Sequence, residues 1–262
     1  MPFFPQFSNL FVSPYIPVPS INPSDISNLD LWLDASDGST LYDATSGGNL
    51  VTTNGASVKR WNDKSGNARH ATEADQPPVL LVNGKNSKNV LDFSSNKWIT
   101  SSFTEKLYTA QTSFVVFKYT SSAGLYARIL TQSQSEVTDY LLDGNYIPAI
   151  RDASTNNFHS YANSGFVSSV TATLNSWYIA RARHSGSALT FKLNATEGSS
   201  YTHTLNTGFS IIRVGATYLD DGSSDNGNLN NPVAEVIVYG KSLTDTESNG
   251  ITSYLNNKWS IY

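Results

Sequence analysis

Residues 29–40 read LDLWLDASDGST, an alternation of apolar and acidic residues that runs into an acidic, glycine-containing turn. Successive side chains of a strand point to opposite sides, so Leu31 and Leu33 share one face, and Asp30, Trp32 and Asp34 share the other. Asp34 and Asp37 can accept backbone hydrogen bonds as the chain turns through ASDGST. Two carboxylates fall short of the roughly six to eight oxygens that calcium takes, so these acids suit a turn better than a metal site. The stretch predicts the entry strand of a sheet and its closing corner.

Downstream signals repeat the theme. SFVVFKY (113–119) sets Phe114, Val116 and Lys118 against Val115, Phe117 and Tyr119, and SWYIARAR (176–183) sets Tyr178, Ala180 and Ala182 against Trp177, Ile179 and two arginines. LTFKLN (189–194) puts Leu189, Phe191 and Leu193 on one face and Thr190, Lys192 and Asn194 on the other, the pattern of a strand with a buried and a wet side. FSIIRVGA and PVAEVIVY are apolar on both faces and suit mid-sheet positions. Crossover helices for a parallel βαβ fold are absent. The fold predicted is all-β, a two-sheet antiparallel sandwich. One helix closes the chain: Thr244 and Glu247 form a capping box, and Ile251, Tyr254, Leu255 and Trp259 share a face.

The 262 residues can bury one full core, with net charge -4, scattered positive charges and no cysteine. No basic stripe offers itself to nucleic acid, and no stretch approaches the apolar length of a membrane helix. Residues 1–27 differ from the rest. No charge precedes Asp25, and Phe3, Phe4, Phe7, Phe11 and Tyr15 alternate with prolines and small polar residues. Proline disfavours helix here, so an extended arm is expected, packing on its own sandwich or on a neighbouring subunit. The opening lacks a basic segment and an unbroken apolar core, so it does not read as a signal peptide. Two units follow: an arm, 1–27, and a β-domain, 28–262.

LWLDASD (31–37), VKRWNDKSGNARHAT (58–72), NGKNSKNVLDFSSNKWI (83–99) and PVAEVIVYGKSLTDTESNGITSYLNNKW (232–259) together resemble the concanavalin A-like, laminin G-like jelly-roll domains of phage and bacterial surface proteins. The resemblance runs from about Leu29 to Ile261. It implies a jelly roll; activity is not implied, because one scaffold hosts lectins, polysaccharide-active enzymes and structural modules.

Three candidate sites follow. Tyr140, Asn145, Tyr146, Arg151, Asn157 and Tyr161, with His159 among them, offer the aromatic and planar polar groups that a sugar site needs. Asp220, Asp221, Asp225 and Asn226 crowd oxygens into one loop, where calcium could bind without EF-hand spacing; no motif requires a cofactor. The aromatic arm is the assembly candidate. In WNDKSGNARH, Asp63 is expected to cap the turn, Gly66 to take a left-handed backbone and Trp61 to enter the core. His70 has no partner at metal-site spacing.

Glycoside hydrolysis needs two carboxyl groups about 5 to 10 Å apart. The glutamates here are scattered and Glu235 has no acidic neighbour at i+2. The expectation is therefore a non-enzymatic component of the virion surface, in capsid, fibre or tail, joined to other virion subunits through the arm, homo-oligomeric and touching host glycans. The alternatives are a secreted bacterial lectin-like protein, which would be extracellular, and a polysaccharide-active lyase or hydrolase.

Overall fold

The computed structural model describes residues 21–120, 127–134, 156–162, 170–216 and 229–262, and the backbone alone of 146–151 and 165–166. In chain order the strands are β1 (Leu29–Asp34), β2 (Leu41–Tyr42), β3 (Arg60–Trp61), β4 (Ala71–Thr72), β5 (Val79–Lys85), β6 (Lys88–Asp92), β7 (Ile99–Tyr108), β8 (Gln111–Lys118), β9 (Arg128–Ser133) and β10 (Tyr146–Arg151). They continue with β11 (Asn157–Ala162), β12 (Gly165–Phe166), β13 (Val170–Thr171), β14 (Trp177–His184), β15 (Ala188–Leu193), β16 (Thr196–Glu197), β17 (Tyr201–Thr202), β18 (Thr207–Val214) and β19 (Pro232–Tyr239), and helix α1 (Asp245–Trp259) closes the chain.

The strands form two sheets, and every ladder between neighbours is antiparallel. The first runs β16-β15-β14-β8-β19-β6-β5, with β1 also on β19 and β17 on β15; the second runs β12-β11-β10-β9-β18-β7-β4-β3-β2, with β13 on β11. The protein is a two-sheet antiparallel sandwich with a C-terminal helix, as predicted.

Alternation along the strands builds two cores rather than one. Leu31, Leu33, Val115, Phe117, Tyr178, Ala180, Phe191 and Val236 point between the sheets, where Ile99, Leu130, Phe158, Ile212 and Val214 of the second sheet meet them. The opposite faces of the same first-sheet strands carry Trp32, Phe114, Val116, Ile179 and Ile237, and these pack against Ile251, Leu255 and Trp259 of α1. The helix begins as its sequence requires: the Thr244 side chain accepts from Glu247 N while the Glu247 carboxylate accepts from Thr244 N.

The last residues of the expected arm belong to this second core. Ile21 packs against it, Ile26 is buried, and Tyr239 Oη donates to Pro23 O at 2.9 Å. A Cβ added at Gly250 would stand 2.4 Å from Ile21 Cδ1, so glycine at that helical position lets the chain cross α1 closely. Phe3, Phe4, Phe7, Phe11 and Tyr15 lie outside the described residues.

The corners are built by aspartates. Asp34 and Asp37 accept from Ser36 N and Ser39 N, as the turn chemistry predicts. Asp63 accepts from Ser65 N, Arg69 N and Trp32 N, binding the WNDKSGN turn to β1; Gly66 sits at φ +90° and Trp61 is fully buried. His70 Nδ1 accepts from Asp63 N.

Candidate functional site

The sandwich has two outer faces, and each gathers ionisable side chains. On the first sheet the register pairs Asp34 of β1 with Glu235 of β19, so the acidic neighbour that Glu235 lacks along its own strand arrives from across the ladder. Lys258 of α1 places its Nζ 2.7 Å from Asp34 Oδ1 and 2.8 Å from Glu235 Oε2, which holds these two oxygens within about 5.5 Å of each other. Burial of Glu235, together with the nearby Asp34 charge, pushes its carboxyl up. Burial opposes ionisation of Asp34 too, but Lys258, Ser36 and Lys64 outweigh it and hold that carboxyl below the usual range. Two carboxyls this close with opposed shifts resemble the acid pairs of glycosidases.

Access is what the pair lacks. Glu235 Oε1 accepts from Trp32 Nε1 at 2.7 Å and Tyr254 Oη at 3.0 Å, and Oε2 accepts from Trp259 Nε1 at 2.7 Å. With Lys258 added, both oxygens are committed and the side chain is 0% exposed. No lone pair of Glu235 is left for an anomeric carbon, and no path leads a sugar to it. The cluster instead fastens α1 to the first sheet. Asp30 of β1 is buried too, and it is held by Lys106 of β7 at 2.6 and 2.8 Å.

The second sheet turns a different outer face. Cross-strand partners share a face, so one inward residue fixes the side of its neighbours. Ile212 and Val214 of β18 face the core, which leaves Arg213 outward between its partners Thr131 of β9 and Thr100 of β7. Arg213 Nε donates to Thr100 Oγ1 at 2.8 Å, and Thr131 Oγ1 donates to Ala216 O at 3.2 Å.

On β11 Phe158 and Ala162 face the core, so His159 and Tyr161 point outward. A register shift where β9 meets β10 pairs Arg128 with Ile150, the residue that also pairs with His159. Arg128 therefore joins the outward row, with its Cα roughly 10 Å from that of His159 across the intervening strand. All four large side chains are buried: Arg128 1%, Tyr161 2%, His159 5% and Arg213 6% exposed. Two guanidinium groups, an imidazole, a phenol and two threonine hydroxyls thus share one sheet face. His159 and Tyr161 are of the residue types that can carry protons. Glu105 of β7 stands farther along the same outer face, against Gly208 of β18, and a hydrolytic pair would need a second carboxylate beside it.

Of the residues that the sequence offered for sugar, Tyr161 lies on this face and His159 beside it. Asn157 is half-buried at the start of β11, and its Oδ1 accepts from Thr171 Oγ1 at 2.7 Å. Tyr146 and Arg151 bound β10, described in backbone only, and Tyr140 and Asn145 lie outside the described residues. So do Asp220, Asp221, Asp225 and Asn226, the calcium candidates. Among the described residues no group of three or more His, Asp or Glu side chains is placed to hold a metal ion, and no described helix is long and apolar enough to cross a membrane. Sequence reasoning missed Arg128 and Arg213. The available signal was an arginine at an outward position within an otherwise apolar strand, as in SIIRVGA.

One further pair was invisible in the sequence. His184 Nε2 lies 2.9 Å from His203 Nδ1, and His184 Nδ1 accepts from Gly186 N at 3.1 Å. The Gly186 donor places the His184 proton on Nε2, which donates to His203, so the facing nitrogens are bonded to each other. Burial and the His203 charge lower the His184 pKa to about 4.

No family model matches the chain, and no curated protein matches it. Solved structures do. The Trypanosoma rangeli sialidase in complex with sialic acid superposes with a TM-score of 0.53 at 12% identity, covering 93% of this chain and 36% of the sialidase. A GH54 α-L-arabinofuranosidase soaked with a cyclic sulfate inhibitor gives a TM-score of 0.63 at 12% identity, covering 88% of this chain and 64% of that one. A glutamate-to-glutamine mutant of a GH54 α-L-arabinofuranosidase, soaked with 4-nitrophenyl α-L-arabinofuranoside, gives 0.60 at 11% identity over the same shares of the two chains. The chain thus spans about a third of the sialidase and under two thirds of the arabinofuranosidase, and at such identity the likeness is one of fold.

The expectation of a non-enzymatic virion component is corrected by these matches. The solved counterparts are a sialidase and arabinofuranosidases, not virion proteins. Scattered glutamates argued against catalysis only along the chain, whereas a fold can assemble acids across strands, as Asp34 and Glu235 demonstrate.

Proposed function

We propose that the chain is a carbohydrate-active enzyme, or the sandwich portion of one, that engages its glycan on the outer face of the second sheet. The observation that carries this reading is the gathering of Arg128, His159, Tyr161 and Arg213, all buried, on one sheet face. Burying charged and polar side chains together is costly, and on the first sheet the buried carboxylates Asp34 and Glu235 are matched by Lys258 under a helix. The glycosidase counterparts support the choice of carbohydrate over other polar ligands.

The test is a screen of the purified chain against polysaccharides and 4-nitrophenyl glycosides, arabinofuranosides and sialosides included, reading new reducing ends, released nitrophenol and unsaturated products. Cleavage of at least one substrate is expected, with a loss of at least tenfold in His159→Ala at unchanged melting temperature. Absence of both cleavage and binding across the screen would overturn the reading.

A further inference from the structure

We propose that residues 201–205 form an acid-released cover on the edge of the first sheet, detached from the β14–β15 hairpin when the His184–His203 pair takes up a proton. The device is independent of the carbohydrate reading above.

The direction of two hydrogen bonds leads there. Gly186 N donates to His184 Nδ1 at 3.1 Å, and His184 Nε2 donates to His203 Nδ1 at 2.9 Å. Each contact then has one donor and one acceptor. A further proton has no place in this chain of bonds. On His203 Nδ1 it confronts the His184 Nε2 proton. If His184 gives way by moving its own proton to Nδ1, that proton confronts the Gly186 N–H instead, and a proton added directly to His184 Nδ1 meets the same donor. Whichever ring is charged, one contact turns into donor against donor and is lost.

The two rings sit on pieces that can part. His184 ends β14, fully buried, with Gln111 of β8 and Leu189 of β15 as its ladder partners. His203 follows β17, half-buried, with the Tyr201 ring stacked on it at 6.2 Å between centroids. β14 pairs with β8 over eight positions, whereas β17 pairs with β15 over two, Ala188 with Thr202 and Leu189 with Tyr201. Beyond those, His203 N donates to Ser187 O at 3.1 Å and Leu205 N to Gly186 O at 3.2 Å. The short ladder is the one that yields, because local opening starts where few backbone bonds hold. Nothing nearby compensates the added charge. Ser185, Gly186 and Ser187 of the turn, Gln111 and Leu189 are uncharged, Tyr201 is a phenol, and no carboxylate, lysine or arginine among the described residues bears on either ring. Burial and the His203 charge hold His184 down to about 4, and burial lowers His203. In the opened state the rings return toward the ordinary 6.5, so the closed state is complete above about pH 6.5 and is lost as pH falls toward 4. Opening bares the β15 edge at Ala188 and Leu189 together with Leu205, which is 3% exposed when closed. A bared edge is a template for pairing with another strand.

The experiment is amide hydrogen exchange of the whole chain at about pH 7 and about pH 4.5, read by mass spectrometry and corrected for the intrinsic pH dependence of exchange. Residues 201–205 are expected to exchange about tenfold faster or more at the lower pH, while β8 and β14 keep their protection. His203→Asn offers the same acceptor position without a titrating ring, and should stay closed at both pH values. Unchanged protection of residues 201–205 in the wild type would overturn the proposal. Equal opening in His203→Asn would assign the acid effect to other groups, and protection lost from β8 and β14 at the same pH would make it general acid unfolding. Imidazole NMR of the wild type keeps the test decisive should the variant misfold. His184 is expected as the Nε2–H tautomer at neutral pH, with proton uptake by the pair coinciding with the opening; an Nδ1–H tautomer, or uptake without opening, would overturn the device.

Discussion

The two outer faces of this sandwich solve the same problem in opposite ways. Each sheet has one side committed to the shared core and one side left over. The first sheet covers its spare side with Trp32, Phe114, Val116, Ile179 and Ile237 under helix α1, and its buried carboxylates Asp34 and Glu235 are spent on Lys258, Trp259 and Tyr254 of that helix and on Trp32 of β1. The second sheet buries arginines, a histidine and a tyrosine on its spare side. The difference teaches that a close acid pair with opposed pKa shifts is not by itself a site. On the first sheet every lone pair of Glu235 answers to the fold; on the second the chemistry-bearing groups share a face with no helix among the described residues packed on it.

The sharpest way to break the comparison is to cut the fastening. Glu235→Ala removes the acceptor shared by Trp32, Trp259, Tyr254 and Lys258, and is expected to cost about 3–5 kcal/mol by chemical denaturation, as when one partner of a buried pair is deleted. Glu235→Gln keeps the shape and should cost less. A loss below about 1 kcal/mol in the Ala variant, with glycan activity abolished, would turn the cluster into a catalytic pair and reverse the assignment of the two faces.

A second, smaller effect is set by pH. In the unfolded chain His184 titrates at its ordinary 6.5, while in the native protein burial holds it down to about 4. Between those values the unfolded state binds more protons than the native one. Stability contributed by the neutral pair is therefore complete above about pH 6.5 and falls as pH drops toward 4, by about 2 kcal/mol once solvent screening at the His203 side is allowed for. Denaturation curves across pH 4–7 should show this slope, and His184→Phe should flatten it. An unchanged slope in that variant would assign the acid sensitivity to other groups.

The smallest stability effect is expected on the second face. Tyr161→Phe removes a hydroxyl and almost no volume, so unfolding should shift by less than about 1 kcal/mol, while affinity for the glycan falls about tenfold. Isothermal titration beside a thermal melt separates the two. A variant that loses stability and keeps affinity would make Tyr161 a core residue like its neighbour Phe158.

Local signals reached far into the fold. The alternation in SFVVFKY, SWYIARAR and LTFKLN placed each apolar residue in its core, because a strand's two-residue period leaves only two sides to choose from. The capping box of α1 and the aspartate turns were equally legible, since each is closed within a few residues. The site was half legible. His159 and Tyr161 stood out in one polar, aromatic stretch, but Arg128 and Arg213 sit on strands that neighbour it only through the order β11-β10-β9-β18.

What the chain determined by itself was the kind of layer it builds: strands with two unlike faces, turns closed by aspartate and glycine, and a helix ready to cover one sheet. Which side chains would meet was decided only by the tertiary structure. Asp34 reached Glu235 across about two hundred residues, Arg213 reached Thr100 across about a hundred, and His184 found His203 through strand pairing. The physical reason is that backbone ladders fix register between strands distant in sequence, and a register set by long-range hydrogen bonds leaves no trace in the local pattern of either strand.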